Sequence, residues 1–154
     1  ERRRDRGAFF KSIHGTLNHL LLADRIWLGR FTGAPIAVDR LDLELYSDFA
    51  ELRAARQALD DDIDAWAATL EVEDLAGVLR YTGVASPVPR RYEMWLAVTH
   101  FFNHQTHHRG QLTTLLNQCG RDCGVTDLVQ LPAVLARNAG QDPAGVGDRG
   151  GELL

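Results

Sequence analysis

The chain has 154 residues, of which 45% are hydrophobic and 25% are charged, and its formal net charge is −4. These values are typical of one soluble domain and exclude a disordered chain, a collagen-like repeat and a disulfide-rich scaffold. The acidic balance argues against nucleic acid and anionic membranes as partners, and the longest apolar run, residues 94–98, is far shorter than the roughly 20 residues of a membrane span. Two cysteines and no visible signal peptide favour a cytoplasmic protein.

The first half of the chain predicts two long helices. Apolar residues recur at steps of three and four over residues 10–31, and Gly33 then ends the pattern. The second helix is expected to begin at Asp48, a residue type that caps helix N-termini, and its apolar stripe extends to Leu70. The only methionine is Met94, so we expect the numbering to begin inside a longer protein.

The second half predicts a third long helix and smaller elements around it. This helix is expected from about Pro89 to Gln118. Residues 78–81 and 84–88 flank a Thr-Gly pair and predict a small β-hairpin before it. A short helix is expected between Thr126 and Arg137. We divide the chain into a helical domain, residues 1–138, and a flexible tail, residues 139–154, which is rich in Gly, Asp and Pro.

Histidines carry the strongest chemical signal, because four of the six lie within nine residues of the third helix. Positions four apart lie one turn apart on the same helix face, so two imidazoles at that spacing can bind one divalent ion. His100 with His104 and His104 with His108 both satisfy this spacing. Spacing alone does not choose between the two pairs.

The helical wheel favours His104 and His108, which fill a gap in the apolar stripe of the third helix. His100 and His107 lie at the polar edge of the same stripe. Two buried histidines without partners would cost several kcal/mol, so a metal ion or a dedicated hydrogen-bond network is expected. The apolar members of the stripe are Met94, Ala97, Phe101, Leu112, Leu115 and Cys119.

A catalytic site usually needs a third protein ligand, and the first helix offers His14 and His19. His19 lies on a second stripe of mostly small residues, which would let another helix approach closely. Spacing and the wheel leave the choice between the two histidines open.

Two motifs resemble those of the DinB superfamily. Residues 12–20 read Ser-Ile-His-Gly-Thr-Leu-Asn-His-Leu and are followed at 23–28 by Ala-Asp-Arg-Ile-Trp-Leu, which resembles the first motif of that superfamily. Residues 103–111, Asn-His-Gln-Thr-His-His-Arg-Gly-Gln, resemble the second and more specific motif. Residues 124–128 resemble the segment that follows, and the whole resemblance spans roughly residues 8–130.

The resemblance implies an all-α, up-down four-helix bundle with a divalent metal, zinc or nickel, bound by His19, His104 and His108. The family's N-terminal helix has no counterpart in this sequence. The three long helices therefore need a fourth wall, and we expect it from residues 126–137, from missing N-terminal residues or from a second copy in a homodimer.

The resemblance also implies a function. Some relatives are thiol S-transferases that use a low-molecular-weight thiol, so a metal-dependent enzyme of the transferase or hydrolase type acting on a small molecule is expected. The alternative is a non-catalytic metal-binding stress-response protein, in which the ion mainly stiffens the bundle.

Three further expectations concern supporting residues. Asp24 lies in the apolar stripe of the first helix, and we expect it to pair with Arg109 or, failing that, with an indole or backbone group. Gln111 lies one turn from His107 and His108 and either orients a ligand or faces solvent. The thiols of Cys119 and Cys123 are expected to be inert. The three tryptophans, Trp27, Trp66 and Trp95, are expected to fill the core.

Overall fold

The fold is built on three long helices and a two-stranded hairpin. It is given by a computed structural model that describes residues 1–84 and 86–140. In chain order the elements are α1 (Ile13–Phe31), α2 (Phe49–Ala67), α3 (Val72–Leu75), β1 (Val78–Gly83), β2 (Ser86–Glu93), α4 (Met94–Asn117), a 3-10 turn (Leu128–Gln130) and α5 (Pro132–Asn138).

Side-chain caps fix the beginnings of the first two helices. The Ser12 hydroxyl accepts a hydrogen bond from the Gly15 amide, so α1 begins at Ile13. Asp48 accepts from the amides of Ala50 and Glu51, which confirms the predicted start of α2.

The hairpin is confirmed, but the predicted start of the third long helix at Pro89 is wrong. Strand β2 pairs with β1 as far as Glu93 opposite Val78, and α4 begins only at Met94, whose amide donates to the Gly77 carbonyl. Pro89 fits this arrangement because both strands of a two-stranded sheet are edge strands, where a proline is tolerated.

Helix α1 lies at the centre of the fold, since it contacts both α2 and α4. One core cluster joins all three helices, and a second joins α1 to the C-terminal half of α4. Trp27 and Trp66 pack against the first cluster, and the Trp66 ring stacks on Phe31 with centroids 4.7 Å apart. Trp95 is 52% exposed, which contradicts its predicted place in the core, because it lies on the face of α4 away from α1.

Within residues 1–84 and 86–140 the long helices number three, so the predicted four-helix bundle is not confirmed. The short helix expected between Thr126 and Arg137 is present as α5, with Pro132 at its first position. It is only seven residues long and packs mainly against the adjoining 3-10 turn. None of the described helices has both the length and the apolarity needed to cross a membrane. The predicted tail falls largely outside the described residues.

Candidate metal centre

Helices α1 and α4 bring together the three histidines that the resemblance assigns as ligands. The Nε2 atom of His104 lies 3.3 Å from Nε2 of His19 and 3.1 Å from Nε2 of His108. Two nitrogens bound to one tetrahedral ion at 2.0–2.1 Å are about 3.3–3.4 Å apart, so the spacing fits a shared ion. All three donor atoms lie within 4.8 Å of one another.

Hydrogen bonds at the Nδ1 atoms of His19 and His108 leave the Nε2 lone pair of each ring directed into this cluster. Nδ1 of His19 lies 2.9 Å from the Leu41 carbonyl oxygen, which can only accept, so His19 carries its proton on Nδ1. Nδ1 of His108 lies 2.8 Å from Oε1 of Gln111, whose amide nitrogen is 3.1 Å from the His107 ring. The Nε2 atoms of His19 and His108 therefore present unprotonated lone pairs to the same point.

Burial keeps the three rings neutral at physiological pH. It lowers the pKa of His19 and His108, and it lowers the pKa of His104 to about 4, with a smaller contribution from the positive charge of the neighbouring histidines. Neutral imidazoles are the form that binds metal ions. Nδ1 of His104 is buried and has no hydrogen-bond partner among residues 1–84 and 86–140.

A phenyl ring from the N-terminal segment covers His19. The rings of Phe10 and His19 are stacked with centroids 3.7 Å apart. This close crossing needs Gly15, because a Cβ atom there would overlap the Phe10 carbonyl oxygen, and it needs Lys11 in the left-handed conformation at φ 64°. Phe10, predicted as part of the first helix, thus precedes α1 and serves the site instead.

The segment between α1 and α2 is held against the site by buried polar side chains of α1. Asn18 accepts from the Tyr46 amide at 2.9 Å and donates to the Tyr46 carbonyl at 3.2 Å. His14 is buried and its Nε2 lies 2.9 Å from the same carbonyl. His14 therefore anchors this segment and lies outside the histidine cluster, and the same segment supplies the Leu41 carbonyl to His19.

The histidine cluster lies between two clefts. A cleft of about 960 Å³ is lined by His19, His108 and residues of the N-terminal and 40–44 segments. A smaller cleft of about 230 Å³, on the hairpin side, is lined by His19 and His104. The cluster can thus be reached by small molecules from two directions.

The predicted pairing of Asp24 with Arg109 is wrong. Asp24 is buried, and its carboxylate accepts from Arg56 of α2 at 2.6 Å. Arg109 is instead exposed and lies 3.3 Å from the Thr106 hydroxyl. Asp24 faces the α2 side of α1, where Arg56 presents its guanidinium directly. Burial raises the pKa of Asp24 to about 6, although the charge of Arg56 opposes the shift.

The sequence profile of the DinB family matches residues 1–144. The chain belongs to the DinB family. No curated protein and no solved structure matches it.

The motifs of this DinB-family chain point to the three clustered histidines, and they leave Gln111 either beside a ligand, where the structure has it, or in solvent. Several other neighbours of the cluster carry no such signal. The Leu41 carbonyl lies in a segment without helical or strand periodicity, and a backbone acceptor carries no residue-type signal. Arg30 and Arg90 line the smaller cleft because the hairpin packs against α1 and α4. No local sequence pattern reveals this packing.

Proposed function

We propose that His19, His104 and His108 bind one divalent ion, zinc or nickel, and that the protein is a metal-dependent thiol S-transferase. The observation that carries the proposal is the convergence of the three Nε2 atoms at spacings that suit one ion. Two buried imidazoles, His19 and His108, present lone pairs to the same point beside His104, and a cation or a shared proton stabilises such a group.

The donor set suits a catalytic rather than a closed structural site. Three protein ligands leave at least one coordination position for an exogenous molecule, whereas structural zinc sites use four. Held by these three histidines, zinc or nickel would supply Lewis acidity that lowers the pKa of a thiol towards neutral. Transfer then depends on the protein mainly for positioning, so the site needs no general base within the histidine motif.

The clefts supply room for two reactants. The 960 Å³ cleft is at the upper end of the range for small-molecule sites and suits a polar low-molecular-weight thiol. Its lining mixes the apolar Phe9 and Phe10 with the charged Arg3, Lys11 and Glu44. In this arrangement Gln111 orients His108, and the Leu41 carbonyl orients His19, so that both Nε2 atoms face the ion.

The test is thiol transfer by the purified protein loaded with zinc or nickel. Bacillithiol, mycothiol, coenzyme A and glutathione are offered in turn with chlorodinitrobenzene, and loss of free thiol is followed. We expect turnover with at least one thiol, loss of turnover in His104→Ala, and near wild-type turnover in His107→Ala, whose side chain is exposed.

Circular dichroism of each variant controls for unfolding. A metal-loaded protein that turns over none of the four thiols would favour the alternative, a non-catalytic metal-binding stress-response protein. The homodimer expected from the sequence is also kept as a proposal, and light scattering showing a monomer would refute it.

A further inference from the structure

A second cavity adjoins the smaller cleft on the side away from the histidine cluster. The two cavities, of about 230 and 310 Å³, share Trp27, Tyr81, Arg90 and His100 in their walls. We call the two adjoining cavities together, with Arg30 in the wall of the one nearer the histidines, the aromatic cleft. One end of the aromatic cleft reaches His19 and His104, so a molecule lying in it contacts the proposed ion from the hairpin side.

The walls of the aromatic cleft suit a flat, unsaturated molecule. The Trp27 ring lies 5.0 Å from the His100 ring and 5.5 Å from the Tyr81 ring, measured between centroids. The Trp27 and Tyr81 planes are inclined by 71°, so the two rings form adjacent walls rather than a closed stack. Aromatic faces at such angles bind planar groups by stacking and by edge contacts.

Two arginines place uncompensated positive charge in the aromatic cleft. The Arg30 guanidinium lies 3.9 Å from the Tyr81 ring centroid and 4.6 Å from that of Trp27. Arg90 donates to the Tyr92 hydroxyl at 3.4 Å. Neither forms an ion pair with a carboxylate in the described part of the chain, whereas Arg3, Arg6, Arg40 and Arg56 all do.

Arg30 is partly buried without a carboxylate partner in the described part of the chain. Burial lowers its pKa, Tyr81 opposes this shift, and the positive charge of Arg90 makes a smaller contribution that also lowers it. A partly buried cation facing a like charge is stabilised by an anion that accepts hydrogen bonds from both. Guanidinium groups match the planar geometry of a carboxylate and can donate two parallel hydrogen bonds to it.

We propose that the aromatic cleft binds an organic carboxylate with a flat, aromatic or unsaturated body. Its carboxylate lies between Arg30 and Arg90, and its body lies against Trp27 and Tyr81 towards the histidine cluster. The inference deepens the proposed function, on which it rests for its role, by naming the chemical class of the thiol's acceptor. The binding itself requires only the arginines and the rings.

Strand β2 supplies a matched pair of variants. Successive side chains of a strand point to opposite faces, and the register pairs Arg90 with Tyr81 and Arg91 with Arg80. Arg90 therefore lines the cleft, whereas its neighbour Arg91 is exposed on the other face. Arg90→Gln and Arg91→Gln remove the same charge from the same exposed strand, and only the first alters the cleft.

The experiment titrates the full chain with fluorobenzoate and measures the dissociation constant by fluorine NMR at constant ionic strength. The neutral fluorobenzamide is the matched ligand. We expect fluorobenzoate to bind at least about 10-fold more tightly than fluorobenzamide, and Arg90→Gln to weaken fluorobenzoate binding by about 10-fold. Arg91→Gln is expected to bind like the wild type. Arg30→Gln, checked by circular dichroism, should weaken binding at least as much as Arg90→Gln.

Each titration is repeated after metal chelation, which separates this proposal from the proposed function. Arg90-dependent binding that survives chelation supports the carboxylate site even if no thiol is transferred. Equal binding of fluorobenzamide, equal losses in Arg90→Gln and Arg91→Gln, or binding that needs zinc and ignores Arg90 would each overturn it.

Discussion

Helix α1 carries two buried polar groups that differ in how their electrostatics are balanced. Asp24 faces α2 and is paired with Arg56 at 2.6 Å, and Arg56 also contacts Asp60 at 2.7 Å. His19 faces α4 and meets two further histidines, with no opposite charge in the cluster.

The contrast shows which buried polar group finds an opposite charge within the protein. An ion pair compensates its own desolvation in part, although it seldom stabilises a fold more than apolar residues would. Three neutral imidazoles around one point do not compensate each other's loss of hydration. Their three Nε2 atoms can share at most one proton between them. The Asp24–Arg56 pair therefore has a structural role, whereas the histidine cluster is suited to an external cation.

The largest expected effect concerns metal binding by the cluster. Removing a donor atom should cost more than the about 10–100-fold in affinity that loss of a supporting hydrogen bond costs, so His104→Ala and His108→Ala should each weaken zinc binding by more than about 100-fold. His107→Ala is the control and should change it little, since His107 offers no donor atom to the cluster and only contacts His108 edge-on and Gln111 by a hydrogen bond. Competition with a chromophoric chelator measures the affinities. Equal losses in His107→Ala and His108→Ala would contradict the assignment.

The second effect breaks the ion pair. Arg56→Ala leaves Asp24 buried without its partner, and we expect the free energy of unfolding to fall by about 2–3 kcal/mol, at the low end for buried pairs because a quarter of the Arg56 side chain is exposed. Urea unfolding of the metal-free protein measures the change. The exposed Arg53, on the same helix, is the matched control, and Arg53→Ala should have a far smaller effect. Similar losses in both variants would argue against a structural role for the pair.

A smaller effect is expected when a supporting hydrogen bond is removed. Gln111→Ala deletes the acceptor that fixes the His108 ring, so zinc affinity should fall by about 10-fold, at the mild end of the range for such partners. The exposed Gln118 near the end of α4 provides the control, as Gln118→Ala alters no contact of the cluster. An unchanged affinity in Gln111→Ala would show that packing alone orients His108.

The smallest effect is a pH dependence of opposite sign for the two groups. The pKa of Asp24 is raised from 3.8 to about 6 in the folded state, so its contribution to stability is present below pH 4 and is lost as pH rises through 6. The pKa of His104 is lowered from 6.5 to about 4, so its contribution is present above pH 6.5 and is lost as pH falls towards 4.

Urea unfolding of the metal-free protein resolves the two signs. Between pH 4.5 and 5.5 the stability of the wild type relative to Asp24→Asn should fall, and its stability relative to His104→Asn should rise, each by about 1 kcal/mol. The same sign for both variants would show that one of the two environments is misassigned.

The sequence predicted those parts of the site and fold that depend on helical periodicity. His104 and His108 are four apart on an apolar stripe, so their convergence followed from the geometry of one helix. The position of His19 opposite them came from the family resemblance, since the wheel left His14 and His19 open. The structure separates these two by their partners: His14 contacts the Tyr46 carbonyl, and His19 contacts His104.

The features that the sequence did not predict depend on contacts between distant segments. Asp24 was expected to pair with Arg109 because a carboxylate in an apolar stripe needs a partner, but the rotation of α2 about its axis, which presents Arg56, is set by tertiary packing. The start of α4 was placed too early because apolar periodicity does not register the strand pairing that continues to Glu93.

The crossing of Phe10 over His19, made possible by Gly15, has an entropic consequence. A ring stacked at 3.7 Å on one face and bonded through Nδ1 to the Leu41 carbonyl can neither flip nor rotate without breaking both contacts. His19 has therefore already lost its torsional freedom when the protein folds. This entropy loss does not weaken the binding of an ion. The N-terminal segment thereby contributes preorganisation to the site without supplying a donor atom to it.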